Sequence, residues 1–210
     1  MKENTTAKIA PKKKKFFTTA NIVSCAMLSA CAVTLMQLEF PLPFIAPAFY
    51  EFDLSEMPAL IGAFSMGPLA GVIIELVKCL VKVLSTTTAG VGELSNFILG
   101  CIYVLPAALI YKHKRTKKTA IWSLILSGIL MSLAATAINA FVMIPLYSSL
   151  MGIPFEAILG MVPSGLGFVN TMWEFCLICV LPFNLIKVAI VSTITIFIYK
   201  PLSVLIKGLY

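Results

Sequence analysis

Tyr50 to Gly100 reads YEFDLSEMPALIGAFSMGPLAGVIIELVKCLVKVLSTTTAGVGELSNFILG, and this stretch decides the architecture. Acids, a Gly-Pro break, two lysines and a Thr/Gly-rich segment interrupt apolar runs in a chain that is 60% hydrophobic. Polar groups at membrane depth are costly unless they face protein or a water-filled cavity. Lipid also excludes irregular backbone, whose N–H and C=O groups would lack partners there. Such features gathered in one stretch predict the lining of a binding cavity, not a passive anchor.

Only 12% of the 210 residues are charged, against roughly 25% in an average soluble domain. Mean hydropathy is +0.99. A soluble fold of this length could not cover so much apolar surface, so the chain reads as an all-α integral membrane protein. A hydrocarbon core of about 30 Å takes roughly 20 apolar residues per helix. The expectation is six transmembrane helices over residues 18–210 around a central ligand pocket open to the outside, behind a basic tail at 1–17.

Charge is distributed by side. Six lysines lie in the tail (Lys2, Lys8 and Lys12 to Lys15), and five basic residues lie in KHKRTKK, Lys112 to Lys118. The segments Glu39–Glu56, Ser85–Glu93 and Ser148–Cys179 contain no Lys or Arg and carry seven of the nine acids. This is the positive-inside pattern. It predicts a multi-pass membrane protein with both termini cytoplasmic. The basic runs then set topology and touch anionic lipid secondarily; they do not point to nucleic acid.

The lysines at 12–15 before an apolar run ending Leu28-Ser29-Ala30-Cys31 look like a cleavable signal. A cleaved signal is followed by a mature, largely polar chain, whereas here Ala32 to Met36 continue the apolar run, so an uncleaved first helix over Thr18–Leu38 is expected. A proline- and aromatic-rich outer loop follows over Glu39–Ser55. The second helix starts near Ser55, a plausible N-cap, and ends at the Gly67-Pro68 turn. Further helices are expected over Leu69–Leu84, Leu94–Tyr111, Ala120–Tyr147 and Pro182–Tyr199. Ser148 to Leu181, broken by glycines and prolines, reads as an irregular outer loop.

Several constellations carry chemistry. Glu75, Lys78 and Lys82 lie on roughly one side of the third helix, as an internal ion pair with Lys82 reaching the outer surface or as a ligand site. Gly90 and Gly92 permit close backbone approach in a loop that also offers Thr88, Glu93 and Asn96. Asn139, Asn184 and Lys187 are the clearest ligand candidates: amides present both donors and acceptors, suiting a planar heterocycle with carbonyls and ring nitrogens. Hydrogen bonds between helices and a buried ion pair for Lys187 are the structural alternatives. Ala26 and Ala30 form a small-xxx-small face for internal packing or a partner. Cys176 and Cys179 form a lone CxxC read as buried apolar side chains, so no metal site is expected. No Walker, HExxH or GxSxG motif occurs, and one histidine leaves general-base chemistry short of its commonest agent. A small intramembrane enzyme built on Glu75, Lys78 and Lys187 is the weaker functional alternative.

These residues resemble the substrate-binding S-components of energy-coupling-factor (ECF) vitamin transporters, in their riboflavin-specific branch. The carriers are AMLSA (Ala26–Ala30), EFPLPF (Glu39–Phe44), DLSEMPALIGAFSMGPLAGVIIELVK (Asp53–Lys78), GVGELSNF (Gly90–Phe97), INAFVMIPLY (Ile138–Tyr147) and LPFNLIK (Leu181–Lys187). The resemblance implies a non-catalytic six-helix protein that captures riboflavin, or another vitamin, as transported ligand and uses no cofactor. It implies a transmembrane T-component and two ATP-hydrolysing subunits as partners. Asn139, Asn184 and Lys187 then correspond to flavin-ring contacts, and Ala26 and Ala30 to the T-component docking face. Tyr50 to Asp53 and Thr86 to Asn96, with Tyr50, Thr88, Gly90 and Asn96 as contacts, correspond to the outer rim.

Overall fold

A computed structural model of the protein describes residues 18–47, 49–86, 88–152, 154–162 and 169–208. The basic tail expected at 1–17 lies outside them. The first helix, α1 (Thr19–Gln37), starts where Thr18 accepts a hydrogen bond from Asn21 N–H on its side-chain oxygen at 3.3 Å. Its inner face is Ser24, Leu28, Ala32 and Met36, while Ile22, Val23 and Met27 point outward. A helix apolar on every side is what a lipid-facing element requires.

The chain then makes a short antiparallel ribbon, β1 (Phe40–Pro41) with β2 (Glu51–Phe52), pairing Phe40 with Phe52. The purely helical expectation is corrected here by two residues on each side. Helices α2 (Glu56–Met66) and α3 (Pro68–Lys82) form a hairpin about Gly67, whose φ of 116° suits a residue without a Cβ. Ser55 does not cap α2 through its side chain. Its hydroxyl instead accepts from Lys78 Nζ at 2.8 Å.

Four helical stretches among the described residues are long and apolar enough to cross a membrane: Thr19–Gln37, Val91–His113, Lys117–Leu150 and Met172–Tyr199. Helices α2 and α3 have 11 and 15 residues. At about 1.5 Å per residue they reach roughly 16 and 22 Å, short of a ~30 Å hydrocarbon core.

Helix α4 (Val91–His113) begins three residues earlier than expected, so GVGELSNF is mostly helical. Helix α5 (Lys117–Ile138) passes directly into a π-helical turn, Asn139–Met143, and then into α6 (Ile144–Met151). The irregular reading of 148–181 is corrected in part. A short α7 (Phe155–Leu159) lies within it, and α8 (Met172–Phe175) starts from a capping box in which Thr171 and Glu174 satisfy each other's backbone N–H groups. A second π-helical turn, Cys176–Val180, leads from α8 into α9 (Leu181–Gly208). The last helical run thus starts ten residues before the expected Pro182.

Small residues set the packing of α5 on α9. Ser123, Ser127, Gly128, Ser132 and Ala135 are buried, and a Cβ on Gly128 would collide with the Val188 side chain. Such small faces let helices approach closely where lipid supplies no hydrophobic drive. The serine hydroxyls turn back to their own helix, as in Ser132 Oγ to the Gly128 carbonyl at 2.9 Å. Across the bundle, Tyr103 of α4 bonds Ser192 of α9 at 2.6 Å.

Candidate functional site

A cavity of about 170 Å³ opens at the acidic end of the bundle, opposite the basic loop that joins α4 to α5. Its walls come from α1, the first loop, the end of α3, α4, α5, the first π turn, α6 and α9. Phe49, Tyr50, Tyr147 and Phe183 supply aromatic surface, and Tyr50 contacts Phe183 edge-on with ring centres 5.7 Å apart. Of the residues singled out from sequence, Tyr50, Thr88, Asn96, Asn139, Asn184 and Lys187 all line it.

The two asparagines are held the same way. Asn139 Nδ2 donates to the Ala135 carbonyl and Asn184 Nδ2 to the Val180 carbonyl, both at 2.8 Å. Each amide is tied by its nitrogen to the turn before it, which leaves its oxygen free to face away. Asn139 Oδ1 accepts from the Tyr50 hydroxyl at 2.6 Å. Asn184 Oδ1 accepts from no described residue. Asn139 is the first residue of one π turn, and Val180 is the last of the other. Such turns are rare and recur at functional sites.

Lys187 lies at the cavity floor and is also ion-paired. Its Nζ is 2.8 Å from Asp53 Oδ2 and 3.1 Å from Glu56 Oε1. The network continues to Lys78, 2.8 Å from Glu75 Oε2 and 3.6 Å from Glu56 Oε1. Three carboxylates thus meet two ammonium groups, all buried. Of the two readings of Lys78, the internal pair with Glu75 is the one observed. Gly100 makes room for it, since a Cβ there would strike the Glu75 carboxylate. Burial by itself would raise the Asp53 pKa, but Lys187 and Lys78, with hydrogen bonds from Lys187 and Ser55, hold it well below the usual carboxylate range.

Asp53, expected at the outer rim, is only 2% exposed and belongs to this inner network. Glu56, its neighbour on α2, was not singled out as a site residue, although an acid directly before an apolar run was a visible signal. The rim itself is built differently. Lys82 pairs with Glu39 and also reaches Gln37 Oε1 at 3.2 Å, close to the surface position expected of it. Burial, followed by a hydrogen bond and repulsion from Glu39, pushes Glu51 up to about 7. Burial also pushes the Tyr50 phenol well above its ordinary value, keeping it a donor.

Gly90 does not line the cavity. It precedes α4 with φ of 87°, and its N–H bonds Thr86 Oγ1 at 3.1 Å. Gly92 lines the cavity in its place, and a Cβ there would crowd Thr88 Oγ1. Glu93 Oε2 ties this turn together by accepting from Thr86 at 2.9 Å and Thr88 at 3.2 Å. Ala26 and Ala30 are exposed on the outer side of α1, beside Met27. Cys176 and Cys179 are fully buried free thiols in the core.

A polar cavity in an apolar helical bundle narrows the families to be considered, and sequence comparison decides among them. The family described as "ECF transporter, substrate-specific component" matches residues 20–199. The chain belongs to this family.

Among relatives of this substrate-specific component, the riboflavin transporter RibU of Staphylococcus aureus (strain TCH60) is 34% identical over 186 residues, covering 89% of this chain and 92% of that protein. The riboflavin transporter FmnP of Bacillus subtilis (strain 168) is 30% identical over 188 residues, covering 87% and 91%. A solved structure described as "Structure and mechanism of the S component of a bacterial ECF transporter" superposes with a TM-score of 0.70 at 33% identity. It covers 89% of this chain and 97% of its own. S-components are non-enzymatic transport subunits, and this one is a bacterial membrane protein.

Proposed function

We propose that this S-component binds riboflavin from outside the cell and delivers it inward as part of an ECF complex. The observation that carries the reading is the convergence of Asn139, Asn184 and Lys187 on one cavity with aromatic walls. Two amide oxygens and an ammonium, set at fixed points over apolar surface, suit the polar edge of a flat ring system. The named relatives supply the identity of that ring. Tyr50, Thr88 and Asn96 contact the ligand from the rim, while Gly90 acts indirectly by shaping the start of α4.

In this reading six helices embed in the membrane, α2 and α3 as a short pair, and the cavity opens outward. The acidic end faces out and the basic loop faces the cytoplasm, with both termini, following the positive-inside rule. The exposed Ala26 and Ala30 take the T-component, and two ATP-binding subunits hydrolyse ATP on its behalf.

Purification from cells grown with riboflavin tests the ligand most directly. A yellow protein with a flavin absorption spectrum, and release of riboflavin on denaturation, are expected. A colourless protein that also fails to bind added riboflavin would remove the assignment while leaving family membership intact. Preferential binding of a different vitamin would redirect it.

A further inference from the structure

A second cleft, of about 250 Å³, lies at the basic end and has no part in the site described above. It is lined by Met66, Gly67 and Leu69 of the α2–α3 hairpin and by Tyr111, Lys112 and Arg115 at the end of α4 and just beyond it. Its origin is geometric. Phe64 of α2 packs on Tyr111, two residues before the end of α4, so the Gly67 turn stands beside the last turn of that helix. The hairpin turn and the end of α4 diverge around a notch at this end of the bundle. A Cβ on Gly67 would meet nothing within 4 Å, which marks the open side.

The notch pairs an apolar depth with a cationic mouth. Lys112 and Arg115 are exposed and form no ion pair among the described residues. No acid occurs between Glu93 and Glu156 to neutralise them. Arg offers a planar fork that matches phosphate oxygens, and Lys adds a point charge. We propose that this cleft binds one anionic phospholipid, its phosphate held by Lys112 and Arg115 and its acyl chain lying over Leu69 and Met66 alongside the hairpin. Assignment to the cytoplasmic leaflet rests on the orientation proposed above; binding to the cleft does not.

The full chain is placed in nanodiscs of equal parts phosphatidylglycerol and phosphatidylcholine, extracted gently, and its retained lipid measured by mass spectrometry. Both leaflets of the disc are alike, so the result is independent of orientation and of riboflavin binding. One phosphatidylglycerol per protein is expected, not displaced by inorganic phosphate. At about fivefold per cation, Lys112→Gln with Arg115→Gln should weaken retention roughly thirtyfold. Lys117→Gln with Lys118→Gln removes equal charge from the same loop outside the cleft and should leave most retention in place. Leu69→Trp should reduce it with every charge intact. A wild-type thermal unfolding midpoint in all three variants reports that they fold. Equal loss from both charge pairs would reduce the effect to general surface attraction and overturn the site. Undiminished lipid in the first pair, with failure only to join the partner subunits, would make the cleft a protein-docking face instead.

Discussion

The Tyr50 hydroxyl donates to Asn139 Oδ1 at 2.6 Å, joining the first outer loop to the start of a π turn 89 residues away. In the ligand-binding reading, the loop residue occupies the acceptor that an incoming N–H group needs. Closure of the loop and binding of the ligand therefore compete for one oxygen atom.

Tyr50→Phe keeps the ring contacts and removes the competitor. A hydrogen bond of this kind is worth about 0.5–1.5 kcal/mol net. Flavin fluorescence titration should accordingly show binding about two- to tenfold tighter. Asn139→Ala should weaken it by tenfold or more. Weaker binding by the Phe variant would mean that the hydroxyl serves the ligand directly.

The buried network predicts an asymmetry between its acids and its bases. Asp53, Glu56 and Glu75 outnumber Lys78 and Lys187. Removing an ammonium leaves buried carboxylates uncompensated, at about 3–5 kcal/mol. Removing one carboxylate charge relieves the excess. In thermal unfolding in detergent, Lys78→Met should lower the midpoint sharply and Glu75→Gln should change it little. A Glu75→Gln loss as large as that of Lys78→Met would contradict this charge balance.

Gly100→Ala tests the same network through its shape. The added methyl meets the Glu75 carboxylate, which must move away from Lys78 or push α4 outward. Overpacking of this sort costs about 1–3 kcal/mol. Combining it with a smaller residue at 75, as in Glu75→Ser, should recover part of the loss, measured by the same unfolding assay.

The rim predicts a pH dependence. Glu51 has its folded pKa raised from 4.5 to about 7, by burial first and then by Glu39. The folded state therefore binds the extra proton between those values, and stability rises as pH falls through about 7, levelling below 4.5. The wild-type midpoint should exceed that of Glu51→Gln by less at pH 8 than at pH 5, giving a difference curve with its slope in that window. Asp53 contributes nothing there: its pKa is depressed, so its share is complete above 3.8 and is lost only in stronger acid.

The α1 face predicts a separation of functions. Ala26→Trp or Ala30→Trp places bulk on the exposed side of α1, away from the cavity. Riboflavin titration should be unchanged, while co-purification with the T-component and ATPase subunits is lost. Loss of both activities together would show that α1 tilts within the bundle.

Legibility of the sequence followed the range of the interactions. Helices α1, α4 and α5 were readable because long apolar runs and local breakers suffice to define them. Asn139, Asn184 and Lys187 stood out as polar residues at membrane depth, and the cavity gathers all three. The pairing of Lys187 with Asp53 spans 134 residues, a distance across which no local pattern carries information. Ser55 looked like a cap because capping is a local rule, but a lysine from the next helix took its hydroxyl. The start of α8 was legible in Thr171-Met172-Trp173-Glu174, a capping-box spacing hidden among glycines and prolines. The π turns have no residue signature, so neither was foreseen.

Those two turns make the polar face of the cavity sensitive to helix winding as well as to composition. A π turn holds one residue more than an α-helix needs. Deleting one residue within Cys176–Val180 would restore α-helix in the same register, whereas relaxing the segment to ordinary helix with all its residues kept would swing what lies on one side of it by about 100° relative to the other. Asn184 and Lys187 would then address a different wall without any substitution. A change between π and α winding in this segment is thus a route by which a scaffold of this kind changes the molecule it carries.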